Sequence, residues 1–344
     1  MADLTTELCG IRLRNPVIAA SCEVTMTEEG IRACLGAGAG AVVAKSVNEL
    51  PAAARQLAAA DYTLLDDELR PVPWGAATGA EILLNRSGLV DTGIDEWVAM
   101  LERTQRHAVA ADAAVIGSIT VASPEGAATL AARLAEVVPA VELNIGAPHG
   151  RESSAVEQVT ETEGVARYVR AVRAAVSCPL IVKLPGQAGD IVSLARAAVA
   201  NGADAVTMIG RSNGFVPSLD TWEPELGSAG AVGGRWMLPI SLYSVSSCFR
   251  ALPAGTPLIG TNGARDGLDV ARFVLSGARA VELASLLMMR GPGALTEVVS
   301  DLDSYLDQHG VGQVGEVVGV SASRSKDYGE FEPFNPPRRP WLDR

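Results

Sequence analysis

The chain has 344 residues, 48% of them hydrophobic and 20% charged, with a formal net charge of −12 and an isoelectric point near 4.8. That length and apolar content suit one large α/β domain, and the acidic balance excludes a protein that grips nucleic acid or an anionic membrane by its general surface. The five cysteines, Cys9, Cys22, Cys34, Cys178 and Cys248, form no C-x-x-C pair, so neither an iron–sulfur cluster nor a zinc knuckle is supported, and no metal is expected. The opening MADLTTELCG lacks a basic region followed by an apolar stretch, and no run of about 18 apolar residues occurs. The expected location is the cytoplasm.

In chain order, short apolar strands are predicted near Pro16–Ala20, Ala41–Ser46, Val115–Ile119, Ala140–Ile145, Leu180–Leu184, Ala205–Ile209, Pro257–Gly260 and Ala280–Ala284. Three begin with one phrase: Gly38-Ala39-Gly40-Ala41-Val42, Gly202-Ala203-Asp204-Ala205-Val206 and Gly277-Ala278-Arg279-Ala280-Val281. Glycine ends a helix in the left-handed conformation, and the Ala-Val run after it enters a strand buried on both faces. Between the strands the apolar residues recur at helical spacing, as in Ile191, Leu194, Ala195, Ala198 and Val199. Ser123-Pro124-Glu125, Asp190 and Asp266 supply helix starts. Strands alternating with helices specify a parallel α/β fold. A doubly wound sheet satisfies the same alternation; the count of eight selects a (β/α)8 TIM barrel, assigned here to residues 1–315. The stretch from about 47 to 95 breaks the rhythm as a long insertion expected to cover the site, and the proline-rich residues 316–344 form an arm or tail.

Active groups of such a barrel sit where its strands end. The strand ends here are Ala20-Ser21, Lys45-Ser46, Asn144, Lys183, Asn262-Gly263 and Ala284-Ser285. A lysine in an apolar strand faces an anion or lines a wet cavity, the bland alternative being one whose stem lies along the rim. Gly227, Gly230, Gly233 and Gly234, read as a loose glycine turn, precede a helix beginning near Trp236, and Asn262-Gly263-Ala264 precede another. Backbone amides of such turns can hold phosphate. No G-x-G-x-x-G opens a strand–helix unit, so a Rossmann nicotinamide site is not indicated.

These residues, taken in order, resemble the dihydroorotate dehydrogenase family, especially its soluble class 1 members, and the pyrimidine-reducing domain of dihydropyrimidine dehydrogenase. The similar stretches are Asn15–Ser21, Val43-Ala44-Lys45-Ser46, Leu84-Asn85-Arg86-Ser87-Gly88-Leu89, Glu142-Leu143-Asn144-Ile145-Gly146-Ala147-Pro148-His149, Ile181–Leu184, Pro257–Gly263 and Val281–Ser285. The resemblance implies FMN as cofactor, a small-molecule substrate lying on the flavin face and a homodimer, and it admits a separate electron-transfer partner. It implies that Ala20, Ser21, Lys45, Ser46, Asn85, Asn144, Lys183, Gly233, Gly234, Asn262, Gly263, Ala284 and Ser285 hold the cofactor. Asn85, Ser87, Gly88, Leu89, Asn144, His149 and Arg211 would then hold the substrate.

Two positions depart from the family. Ala147 stands where members carry a cysteine or serine that acts as base, and Gly210 followed by Arg211 stands where an asparagine contacts the pyrimidine. The expectation is therefore hydride transfer between flavin N5 and a small organic substrate other than dihydroorotate, with Arg211 favouring an anionic one. The alternatives are a dihydroorotate dehydrogenase with a relocated base, or a flavin-binding protein without catalysis. His149, Lys45 and Ser87 are the candidate catalytic residues, with Ser153 and Cys22 behind them. For His149 the alternative role is a hydrogen bond to substrate.

Overall fold

The computed structural model describes residues 2–50, 55–146, 159–334 and 338–342. The chain opens with a hairpin, β1 (Thr6–Leu8) and β2 (Ile11–Leu13), before the first barrel strand, β3 (Val17–Ala19). The second barrel strand is β4 (Ala41–Val43); β5 (Asp61–Leu65), β6 (Pro71–Val72) and β7 (Ile82–Arg86) follow in the insertion. Then come β8 (Ala114–Thr120), β9 (Ala140–Asn144), β10 (Leu180–Lys183) and β11 (Ala205–Met208) of the barrel, and β12 (Ser212–Gly214) and β13 (Gly230–Gly234) outside it. Last are β14 (Leu258–Thr261) and β15 (Ala280–Leu283). The eight expected strands form a closed, wholly parallel barrel, in which each pairs with the next in sequence and Val281 of β15 pairs with Val17 of β3.

Strand periodicity layers the barrel interior. Ile18, Ala41, Val43, Ala114, Ile116, Ala140, Ile181, Ala205, Ile259 and Ala280 form one inner cluster, and Leu8 and Leu13 of the hairpin plug its amino-terminal end. Side chains repeat every second residue along a strand, so the next step on the same rows reaches Lys45, Ser118, Glu142, Lys183, Thr207, Thr261 and Glu282, all buried. The carboxyl end of the barrel is thus floored by polar groups above an apolar layer. Outside, a larger cluster joins the strands to the surrounding helices, with Trp97, Tyr168 and Phe273 as its bulkiest members.

The local signals act as expected. Gly38, Gly202 and Gly277 take positive φ values of 106°, 107° and 114° at the helix-to-strand joints. Ser123 accepts from the Gly126 amide at 3.0 Å, Asp190 from Ser193 at 3.0 Å and Asp266 from Asp269 at 2.9 Å, capping helices Pro124–Ala135, Ile191–Ala200 and Gly267–Leu275.

One reading needs correction. Gly230–Gly234 is not a loose turn but strand β13, an inner strand of a five-stranded antiparallel sheet ordered β12-β13-β7-β5-β6. Glycine is required there because a Cβ on Gly230 would lie 2.7 Å from the Asn85 carbonyl oxygen, and one on Gly234 would lie 2.5 Å from that of Glu81. The insertion therefore pairs with the loop after β11, around a small core of Leu65, Leu84, Val216, Leu226 and Val232. A short 3-10 turn, Arg235–Met237, leads into the next helix, Leu238–Ala251. Beyond residue 315, Gly319 donates to the Val274 carbonyl and Arg250 pairs with Asp327, while Tyr328, Phe331 and Phe334 are exposed. No helix among the described residues is long and apolar enough to cross a membrane.

Candidate active site

A cleft, open to solvent at its mouth, lies over the carboxyl ends of the barrel strands. Its floor is a chain of buried hydrogen bonds. Ser118 Oγ donates to Glu142 Oε1 at 3.0 Å, so Ser46 must donate its proton to Ser118, at 2.8 Å, and Ser21 its own to Ser46, at 3.1 Å. Lys183 Nζ completes the chain by donating to Glu142 Oε2 at 3.4 Å and by a closer bond to Glu282 Oε2. Burial opposes the Lys183 charge, but Glu142 and Glu282 more than offset it and hold its pKa above the ordinary value. Glu282 pays for that crowding: burial, then the Glu142 charge, push its carboxyl up to about 8, so it carries its proton at neutral pH. A proton on Glu282 relieves the crowding of two buried carboxyl groups around one cation.

A second cluster stands on the side where the insertion meets the barrel. Lys45 Nζ donates to Glu23 Oε1 at 2.8 Å, and the Tyr62 hydroxyl, brought by β5, donates to the same oxygen at 2.7 Å. Burial raises the Glu23 pKa, but the Lys45 charge and the hydrogen bonds from Lys45 and Tyr62 outweigh it and hold the carboxyl below its ordinary value. Burial pulls the Lys45 pKa down, only partly offset by Glu23. Arg211 Nη1 donates to Asn85 Oδ1 and to Ser87 Oγ, both at 2.6 Å. The Asn85 amide nitrogen donates to the Ala231 carbonyl at 3.1 Å, which orients the side chain with its oxygen toward Arg211. The guanidinium thus ties the loop after β7 to the loop after β11.

At the opposite end, Gly233, Asn262, Gly263, Ala284 and Ser285 line the cleft together. Asn262 Nδ2 donates to the Gly210 carbonyl at 3.2 Å, and its Oδ1 accepts from the Gly234 amide at 3.4 Å. Gly263 has φ +112°, and a Cβ there would sit 2.5 Å from the Leu238 amide nitrogen, so the turn admits only glycine. These observations fit a flavin mononucleotide. The cleft runs from the strand-end lysines Lys45 and Lys183 to the glycine turn at Gly263. Glu282 lines it and keeps buried Oε1 without a hydrogen bond among the described residues, an orphan that a bound heteroaromatic ring can satisfy. The glycine turn leaves backbone free to approach a phosphate.

Of the residues singled out from sequence, Ala20, Ser21, Lys45, Ser46, Asn85, Ser87, Leu89, Asn144, Lys183, Arg211, Gly233, Asn262, Gly263, Ala284 and Ser285 line one cleft. Gly234 and Gly88 do not line it but support its walls: a Cβ on Gly88 would lie 2.3 Å from Leu57 Cα. Cys22 lines the cleft as a thiol pushed up to about 11, first by burial and then by Glu23. Ala147, His149 and Ser153 lie outside the described residues. Sequence reasoning missed Glu23, Tyr62 and the inner-row carboxylates Glu142 and Glu282. The usable signal was parity: each carboxylate lies two residues past an inward apolar residue, Ala140 or Ala280.

The dihydroorotate dehydrogenase family model matches residues 3–306. The catalytic subunit of dihydroorotate dehydrogenase B (NAD(+)) from Methanothermobacter thermautotrophicus is 30% identical over 324 residues, covering 92% of this chain and 98% of that protein. The corresponding subunit from Pyrococcus abyssi is 32% identical over 319 residues, covering 92% and 99%. A crystal structure of the Eimeria tenella enzyme in complex with ferulenol superposes with a TM-score of 0.75 at 18% identity, covering 94% of this chain and 89% of that one, a likeness of fold. The chain belongs to the dihydroorotate dehydrogenase family, FMN-dependent oxidoreductases that act on a CH–CH bond of their substrate.

Proposed function

We propose that this protein transfers hydride between bound FMN and dihydroorotate, with its proton acceptor located elsewhere than residue 147. The expectation of a different substrate finds no support among the relatives, whose names specify dihydroorotate dehydrogenase B, and they favour the relocated-base alternative. The observation that carries the reading is the convergence of Lys45, Asn85, Asn144 and Lys183 on one cleft at the barrel's carboxyl end. FMN, when bound, supplies the hydride acceptor; the chain supplies position, charge and exclusion of water. In this reading Ser21, Ser46, Asn144, Lys183 and Asn262 hold the ring system, and Gly233, Gly263, Ala284 and Ser285 the phosphate. Asn85, Ser87, Leu89 and Arg211 hold the substrate, Arg211 with its carboxylate. The relatives are named catalytic subunits, which supports a separate protein as electron carrier.

Anaerobic mixing of the FMN-loaded protein with L-dihydroorotate tests this. Bleaching of the flavin on the timescale of turnover, on the order of 10 per second, is expected. A second reading, another small anionic ring as substrate, is favoured by Arg211 standing beside Asn85 and Ser87 with aliphatic Ala147 in the same family motif. It prevails if dihydroorotate leaves the flavin oxidised and a different acidic compound bleaches it.

A further inference from the structure

We infer that Glu23 is the proton acceptor of the reaction, the carboxylate that takes hydrogen from the substrate carbon adjacent to the one giving up hydride. The assignment rests on the CH–CH oxidoreductase reading above. Such an oxidation removes a proton and a hydride from neighbouring carbons. One C–H bond breaks with its proton passing to a Glu23 oxygen, and its electron pair becomes the second bond of the new C=C. The neighbouring hydrogen leaves with its own pair for the flavin, so the substrate loses two electrons and the flavin gains them.

Among the described residues, the charged and thiol side chains lining the cleft are Cys22, Glu23, Lys45, Lys183, Arg211 and Glu282. The three cations have no lone pair to offer while charged. The Cys22 thiol, pushed up to about 11 chiefly by burial, is protonated at neutral pH, and Glu282, pushed up to about 8, is an acid pinned by Lys183. The Ser87 hydroxyl already accepts from Arg211. Glu23 is the cleft-lining carboxylate, among the described residues, that is ionised at neutral pH. Lys45 and Tyr62 both donate to Oε1 and so fix the carboxylate plane, while Oε2 accepts no side-chain hydrogen bond among the described residues. A positioned carboxylate of low basicity remains a competent base toward an acidic C–H.

The groups facing Glu23 are Lys45 at the end of β4, Tyr62 on β5, Arg211 after β11 and the neighbouring Cys22 thiol. On the helices packed against its turn, Glu28 pairs with Arg32 and Arg103, Arg290 pairs with Glu297, and Glu29 is exposed to solvent.

Glu23→Gln keeps shape and hydrogen-bonding capacity and should retain FMN. Flavin reduction by dihydroorotate is expected to fall roughly 10²- to 10⁴-fold, with partial recovery in Glu23→Asp. In the parent, reduction fails as falling pH protonates Glu23; Tyr62→Phe removes a bond to the ionised form, so that acid limb moves to higher pH. A readout without turnover is the reversible addition of sulfite to bound flavin, seen as loss of visible absorbance. Removing the Glu23 charge should tighten this anion by at least about tenfold. Unchanged sulfite affinity in Glu23→Gln, or retention of the reduction rate when His149→Asn abolishes it, overturns the assignment. If dihydroorotate fails to reduce the parent flavin, the substrate reading falls, while the sulfite arm still decides whether an ionised Glu23 faces the flavin, without which the assignment fails.

Discussion

At the scale of single residues, a guanidinium stands where a substrate must be recognised. Arg211 follows the sixth barrel strand, and a surface role, pairing with one of the many exposed carboxylates, was equally compatible with sequence. The structure instead turns it inward onto Asn85 and Ser87. In the reading proposed above the guanidinium also holds the substrate carboxylate, for which its planar fork is suited. Arg211→Lys should therefore raise the Michaelis constant for an anionic substrate by roughly tenfold to a hundredfold, the worth of one charged hydrogen bond. An unchanged constant in steady-state assays would remove Arg211 from the substrate's surroundings. Glu23 was illegible for the opposite reason: in Ser21-Cys22-Glu23-Val24 it looks like an ordinary acidic first-turn residue, and only folding brings Lys45 and Tyr62 to it.

At the scale of elements, the barrel was legible because each α-to-β joint repeats one physical solution, a left-handed glycine followed by a buried strand, and because the caps Ser123, Asp190 and Asp266 are local devices. The insertion was legible as an interruption, not as a sheet, since β7 finds its partner β13 through a glycine run nearly 150 positions away (Asn85 pairs with Ala231). Two glycines separate the ends of the site experimentally. Gly263→Ala forces a side chain to φ +112° and against the Leu238 amide, a strain of about 1–2 kcal/mol before any clash is relieved. Flavin should be lost on gel filtration and its dissociation constant, by fluorescence titration, should rise. Gly88→Ala strikes Leu57 instead and displaces the loop carrying Ser87 and Leu89. That variant should stay yellow yet lose kcat/KM about tenfold or more, as expected when substrate position shifts by a fraction of an ångström. Equal flavin loss in both would mean the two ends are not independent.

At the scale of the whole molecule, the polar floor ties the segment after β4 to the four strands β8, β9, β10 and β15 through a buried network. Such a network is costly unless charge is balanced, and here balance depends on one proton. Glu282 titrates near its ordinary glutamate value in the unfolded chain but is pushed up to about 8 in the folded one, by burial first and by Glu142 next. Between those values the folded chain binds up to one proton more than the unfolded chain. The stability contributed by that proton is complete in mild acid and is lost as pH rises through about 8. The slope cannot exceed about 1.4 kcal/mol per pH unit for a single site. Lys183 stays charged across this window, so the trend is assigned to the proton at Glu282. Urea unfolding of the FMN-saturated protein at pH 5.5, 7 and 8.5 should show a falling midpoint in the parent, after the changes common to all variants are subtracted. Glu282→Gln, which keeps a neutral hydrogen-bonding group at every pH, should flatten that component. A Glu282→Gln profile as steep as the parent's would place the missing proton elsewhere and leave the floor carrying a net negative charge.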